Sequence, residues 1–225
     1  MTLPNTFRRL AAAILVSAPT LAPISAANAA SNDPGDGPRI RITTEDVRQS
    51  NEKVAAAYSA LVDMWTKEFT HIGERFVAPR IARYTGGART ACGVIGPNNA
   101  QYCANANTIF YDEVFVAGMG KAAANELGTD GDMAAVGIIA HEMGHAVDFS
   151  RGNIGKHQLY QSIRGITRNV NDWYGCNGCT DYTTSAGDWA EVFAQWLAGP
   201  GDFRSRMAGT PTKAQLLLLA PLFRL

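Results

Sequence analysis

The stretch Asp130-Gly-Asp-Met-Ala-Ala-Val-Gly-Ile-Ile-Ala-His141-Glu-Met-Gly-His145-Ala-Val147 decides how this chain is read. Met133, Val136, Ile139, Ala140, Met143 and Val147 recur at helical spacing, which predicts an α-helix with one apolar face. Asp132 reads as its N-cap. At about 3.6 residues per turn, His141 and His145 stand one above the other on one face of that helix. Glu142 starts about 100° further round the axis, so its carboxylate lies beside whatever the two imidazoles hold. Gly144 costs about 1 kcal/mol against Ala in a helix. Its presence asks for a cause: close approach of another backbone, a substrate, or packing against a second helix.

Two imidazoles at this spacing can reach a single Zn²⁺. A neighbouring glutamate can then take a proton from a water activated by the metal. The other two histidines, His71 and His157, have no such spacing and read as surface or capping residues. Sites with two histidines on one helix commonly take a third ligand, Glu or His, from another segment. A Gly and third His do not follow soon after His145, where the chain runs Ala-Val-Asp148-Phe-Ser-Arg-Gly152. A carboxylate further on is therefore expected. The helix predicted over Asp188-Trp-Ala-Glu-Val-Phe-Ala-Gln-Trp-Leu-Ala198 supplies Glu191 as first choice and Asp188, on nearly the same face, as second.

Outward from these two helices the chain is legible in part. Thr43 or Thr44 caps a long helix reaching about Thr70, its stripe formed by Val47, Val54, Ala57, Leu61, Met64, Trp65 and Phe69. Arg75 to Tyr84 reads as a strand that Pro79 confines to a sheet edge. Residues 92–106 read as a loop closed by cysteines. Thr108-Ile-Phe-Tyr111 reads as a second strand. Residues 113–121 fit helix or loop, and 150–187 read as irregular. The apolar tail Leu216-Leu-Leu-Leu-Ala-Pro-Leu-Phe223 reads as a final packing helix.

The 225 residues suffice for one domain with a real core, and 46% hydrophobic against 18% charged residues is globular composition. Twenty basic and twenty acidic residues give no basic excess and argue against a nucleic-acid partner. No apolar run reaches the roughly 18 residues of a membrane span. Arg8 and Arg9, the apolar stretch Leu10–Val16 and the small-residue end Ala27-Asn-Ala29 predict a signal peptide over residues 1–30. The expected site is therefore the periplasm or the extracellular medium. A linker over 31–42 and one domain over 43–225 follow. Four cysteines in an exported chain favour disulfides, and proximity favours Cys92 with Cys103 and Cys176 with Cys179. A redox-active Cys176-Asn-Gly-Cys179 pair is the alternative for the second set.

These features resemble the bacterial neutral zinc metallopeptidases. The resemblance rests on Ala91-Cys-Gly93, Tyr102-Cys103, Ile109-Phe-Tyr-Asp112, Ile139-Ala-His-Glu-Met-Gly-His145 and Glu191-Val-Phe-Ala-Gln-Trp-Leu-Ala-Gly199, and covers roughly residues 75–200. It implies one Zn²⁺ per chain on His141, His145 and Glu191, Glu142 as catalytic base, and a Cys92–Cys103 disulfide. The implied fold is a mainly helical α+β zincin-like domain with a short edge sheet and an HExxH helix. The implied activity is hydrolysis of a peptide or protein substrate, of the gluzincin type. The family's Asp four residues after the ligand Glu is Gln195 here. As a partner to a ligand histidine, Gln195 accepts through an amide oxygen and brings no charge. The insertion near 165–187 also departs from the pattern. Tyr160, Tyr174 and Tyr182 are the candidates for a donor to the oxyanion. The rival reading is a non-catalytic zinc-binding envelope module on a peptidase fold, for which Gln195 speaks and Glu142 does not.

Overall fold

The computed structural model describes residues 41–127, 132–175, 179–199 and 203–224. The predicted signal peptide, most of the linker, and Cys176 lie outside the described residues. The architecture is a mainly helical α+β fold with a small three-stranded mixed sheet and a separate two-stranded hairpin.

Helix α1 (Thr44–His71) begins at a capping box in which Thr43 and Asp46 satisfy each other's backbone N–H groups. It buries Val54, Ala57, Leu61, Met64, Trp65 and Phe69, so all of the predicted stripe but Val47 faces the core. The main sheet has three strands. Strand β1 (Arg80–Tyr84) pairs in parallel with β5 (Thr108–Asp112), and β4 (Ala100–Cys103) pairs antiparallel on the other side. The predicted first strand therefore starts at Arg80, just past Pro79, and lies at an edge as expected. Residues 92–106 are not merely a loop. They hold β3 (Gly93–Ile95), which forms a hairpin with β2 (Ala88–Thr90), and then β4. The Cys92–Cys103 disulfide closes this segment.

Asp112 ends β5 and accepts from the backbone N–H groups of Val114 and Phe115. It thereby starts α2 (Glu113–Leu127), which settles the ambiguous segment as helix. Helix α3 (Asp132–Arg151) carries the two spaced histidines, with Asp132 as its first helical residue. It buries Ala135, Ile139, Ala140, Met143, Ala146 and Val147. Met133 and Val136 are only half-buried, because the inward face lies a little further round than the apolar pattern implies.

The segment expected to be irregular contains α4 (Ile154–Arg164), capped by Asn153 and stopped by Gly165 in the left-handed conformation. Helix α5 (Ser185–Ala198) packs directly along α3, and α6 (Lys213–Phe223) closes the base of the molecule. Between α3 and α5 a Cβ on Gly144 would meet Phe193 Cδ1 at 3.0 Å and the Ala190 Cα at 3.1 Å. Close packing of two helices is thus what the mid-helix glycine serves. Trp65, Trp189, Phe193 and Phe223 fill the core beneath.

Candidate metal centre

The geometry of the candidate site follows from the α3–α5 seam. His141 and His145 project from α3 with ring centroids 5.0 Å apart. Facing them is Asp181, in a short 3₁₀ turn (Asp181–Thr183) leading into α5. Thr184 caps α5 through the Gly187 N–H and donates its hydroxyl to the Asp181 carbonyl, so the turn is bolted to the helix start. A Cβ on Gly187 would collide with that carbonyl, so only glycine lets the turn sit so close.

Asp181 Oδ2 lies 2.6 Å from His141 Nε2, and Oδ1 lies 3.2 Å from His145 Nε2. Among the described residues, ligand atoms of His141, His145 and Asp181 all lie within 4.8 Å of one another. Two imidazole nitrogens and a carboxylate oxygen are a donor set suited to Zn²⁺.

Glu191 is drawn to the same histidine from the other side. Its Oε2 is 2.8 Å from His141 Nδ1, and its Oε1 accepts from the Arg204 N–H. The first-choice third ligand therefore touches the ring nitrogen that faces away from Asp181. The physical reason is that α5 runs behind His141, while the turn preceding it crosses in front. Asp188, the second choice, is not part of the cluster. It is fully buried and takes hydrogen bonds from Arg164, Tyr160 and Ser205. Gln195 is buried in α5, one turn beyond Glu191. The hydrogen bond to His141 Nδ1 comes from Glu191.

Electrostatics follow the same layout. Burial pulls the His141 imidazole down, but Asp181 and Glu191 outweigh it and hold it well above its ordinary value. Burial pushes the Asp181 carboxyl up, and the two histidines overcome this to hold it far below the usual carboxylate range. Burial raises Glu142, partly offset by the two imidazoles and by the backbone N–H of Tyr102 on β4. Glu142 is 6% exposed and lies beside the cluster, as its helical position requires.

The remaining expectations divide. Tyr160 is buried with its hydroxyl committed to Asp188, which removes it as an oxyanion donor. Tyr174 and Tyr182 remain exposed, and Tyr182 follows Asp181 directly. His157 is not a surface residue. It is buried, bonded to Asp148 at 2.8 Å and stacked on Trp173 at 3.8 Å. Cys179 is disulfide-bonded; Cys176, its expected partner, lies outside the described residues. Asp181 itself escaped the sequence reading. It has no fixed spacing to the histidines, and its only signal is a carboxylate in a polar turn just ahead of α5.

A family model described as "putative neutral zinc metallopeptidase" matches residues 24–196. The chain belongs to this family. The metallopeptidase match spans every element from α1 to most of α5, including the whole cluster. Similar curated proteins are the uncharacterized protein YpfJ of Escherichia coli K12 and YpfJ of E. coli O6:H1, each 34% identical over 106 residues. The aligned part is 43% of this chain and 34% of each relative, so the chain spans about a third of their length. No solved structure matches. No helix among the described residues is long and apolar enough to cross a membrane.

Proposed function

We propose that this chain is an exported zinc-dependent peptidase with Glu142 as general base. One observation carries the reading: Glu142 is buried beside a His141–His145–Asp181 cluster. A closed structural zinc site has four protein ligands and no need of a base. Here three ligand groups converge and the fourth neighbour is a carboxylate held off to the side.

His141, His145 and Asp181 would hold the ion. Bound there, zinc supplies Lewis acidity, which acidifies water and polarises a carbonyl. Glu142 takes the proton of the attacking water and delivers it to the leaving amine. Burial raises the basicity of that carboxylate, with the Tyr102 N–H on the strand beside it favouring the charged form. Glu191 accepts from His141 Nδ1–H, which fixes the ring's tautomer and leaves Nε2 for the metal. The Cys92–Cys103 disulfide supports assembly in an oxidising compartment, consistent with export.

The test is bound zinc per chain and hydrolysis of a mixed peptide library for the wild type, Glu142→Gln, Asp181→Ala and Glu191→Gln. One zinc per chain in wild type and Glu142→Gln, with cleavage by the wild type alone, is expected. Asp181→Ala should lose stoichiometric zinc, and Glu191→Gln should keep it with about 10–100-fold weaker affinity. The reverse pattern would make Glu191 the third ligand, as the family resemblance implies. Zinc without hydrolysis in any form would favour the binding module.

A further inference from the structure

Phe149 lies four residues beyond His145 and eight beyond His141, so it extends the metal face of α3 by one turn. It is 55% exposed although it is a large apolar side chain beside a buried polar site. Two more rings flank it. Tyr102, on β4, has its centroid 6.4 Å away, and Tyr174, after the 3₁₀ turn at Val170–Asp172, has its centroid 6.0 Å away and is 56% exposed. Each ring is held from behind. Tyr102 donates its hydroxyl to Asn107 Oδ1, and the Tyr174 ring sits edge-on to His157 with centroids 6.1 Å apart. Arg151, the nearest cation along α3, is turned toward Glu74 and the Phe69 ring.

Strand β4 joins this surface to the reacting site. Asp112 N–H donates to the Asn99 carbonyl, so in the antiparallel register Gln101 and Cys103 turn their backbone groups to β5. Ala100 and Tyr102 turn theirs outward, and the outward Tyr102 N–H meets Glu142. Strand β4 packs against α3, so one residue has its backbone N–H on the Glu142 side and its ring in the aromatic group.

We propose that Phe149, flanked by Tyr102 and Tyr174, is the subsite for an aromatic or large aliphatic side chain next to the cleaved bond. The proposal rests on the peptidase reading and names its substrate class: peptides with an apolar residue adjoining the scissile bond. Such a side chain covers the exposed ring faces and places the neighbouring carbonyl at the His141–His145 face.

The experiment has two arms. In the first, zinc-loaded wild type, Phe149→Ala and Phe149→Leu digest an unbiased peptide mixture, and cleavage sites are mapped by mass spectrometry. Enrichment of Phe, Tyr and Leu at one position beside the cut is expected. Phe149→Ala should lose it by at least tenfold and Phe149→Leu should keep most of it. In the second, zinc-loaded Glu142→Gln is titrated with blocked pentapeptides that differ only in a central Phe or Asp. Tighter binding of the Phe peptide, lost on adding Phe149→Ala, supports the subsite even where no peptide is cut. Cleavage without apolar enrichment, enrichment that survives Phe149→Ala, or equal binding of the two peptides overturns it. Failure of hydrolysis alone, with Phe149-dependent binding intact, refutes the peptidase reading and not the subsite.

Discussion

Helix α3 contains two interior glycines that should respond oppositely to the same substitution. A Cβ on Gly137 would meet nothing within 4 Å, apart from its own helix. Gly137→Ala therefore gains helix propensity, about 1 kcal/mol, with no steric cost. A Cβ on Gly144 would lie 3.0 Å from Phe193 Cδ1, 3.1 Å from Ala190 Cα and 3.4 Å from Ala190 Cβ. Carbon pairs prefer about 3.5–4.0 Å, so two of these contacts are short by roughly half an ångström. Neither neighbour can yield. Ala190 Cα is backbone, and the Phe193 ring is stacked on Trp65 at 5.7 Å and set against Phe223 at 5.5 Å. The helices must part, at an overpacking cost of about 2–3 kcal/mol against the propensity gain of about 1. The net loss is about 1–2 kcal/mol, or about 2–8 °C in Tm for a chain of this size. Gly137→Ala should gain about 2–4 °C. Because bound zinc would raise Tm by mass action, both melts belong in excess chelator, with zinc affinity measured separately. The affinity should fall in Gly144→Ala, since α3 carries both histidines and α5 anchors the Asp181 turn. A Tm that rises in both variants would refute the claim that the α3–α5 seam is packed to contact.

Asp188→Ala should cost about 3–5 kcal/mol, read from urea denaturation, because it strands the 1%-exposed Arg164 side chain without its carboxylate. Replacing Cys92 and Cys103 by serine removes closure of a loop with sequence separation 11. That should cost about 3 kcal/mol on the chain-entropy model and slow peptide hydrolysis further, since Cys103 ends the strand that presents Tyr102 to Glu142.

What could be read from the residues depended on whether a segment announces itself by apolar periodicity. Helix α1 does, and its buried stripe was legible almost residue by residue. The same holds for α3, where the histidine spacing and the apolar face come from one helical repeat. Helix α4 carries good caps in Asn153 and Gly165, yet its inward residues are His157, Tyr160, Gln161 and Arg164. They recur at helical spacing but are polar or amphipathic, so no apolar pattern marks the helix. Strand β4 is four residues long and embedded in Gly, Asn and Ala, too short for alternation to show. Asp181 was hidden for a third reason. Its place opposite the histidines comes from a turn folded against α5 through Gly187, a contact that leaves no periodic trace.

The polar interior explains how the cluster is held in register. Asp148 comes three residues after His145 and Asp188 three residues before Glu191, so each site helix carries a buried carboxylate about one turn from its metal-side residue. Asp148 is met by His157 and the Trp173 indole N–H, and Asp188 by Arg164, Tyr160 and Ser205. His157, Tyr160 and Arg164 all lie on the inward face of α4, so one helix clasps both others. Apolar packing would bury the same area at lower desolvation cost, but it tolerates rotation of a helix about its axis. Directed hydrogen bonds to two carboxylates do not. A rotation of α3 or α5 would carry His145 or Glu191 off the cluster, and the buried carboxylates make that rotation costly because it would leave them unpaired. The helix that apolar periodicity missed is thus the one that sets the angular position of the two it revealed.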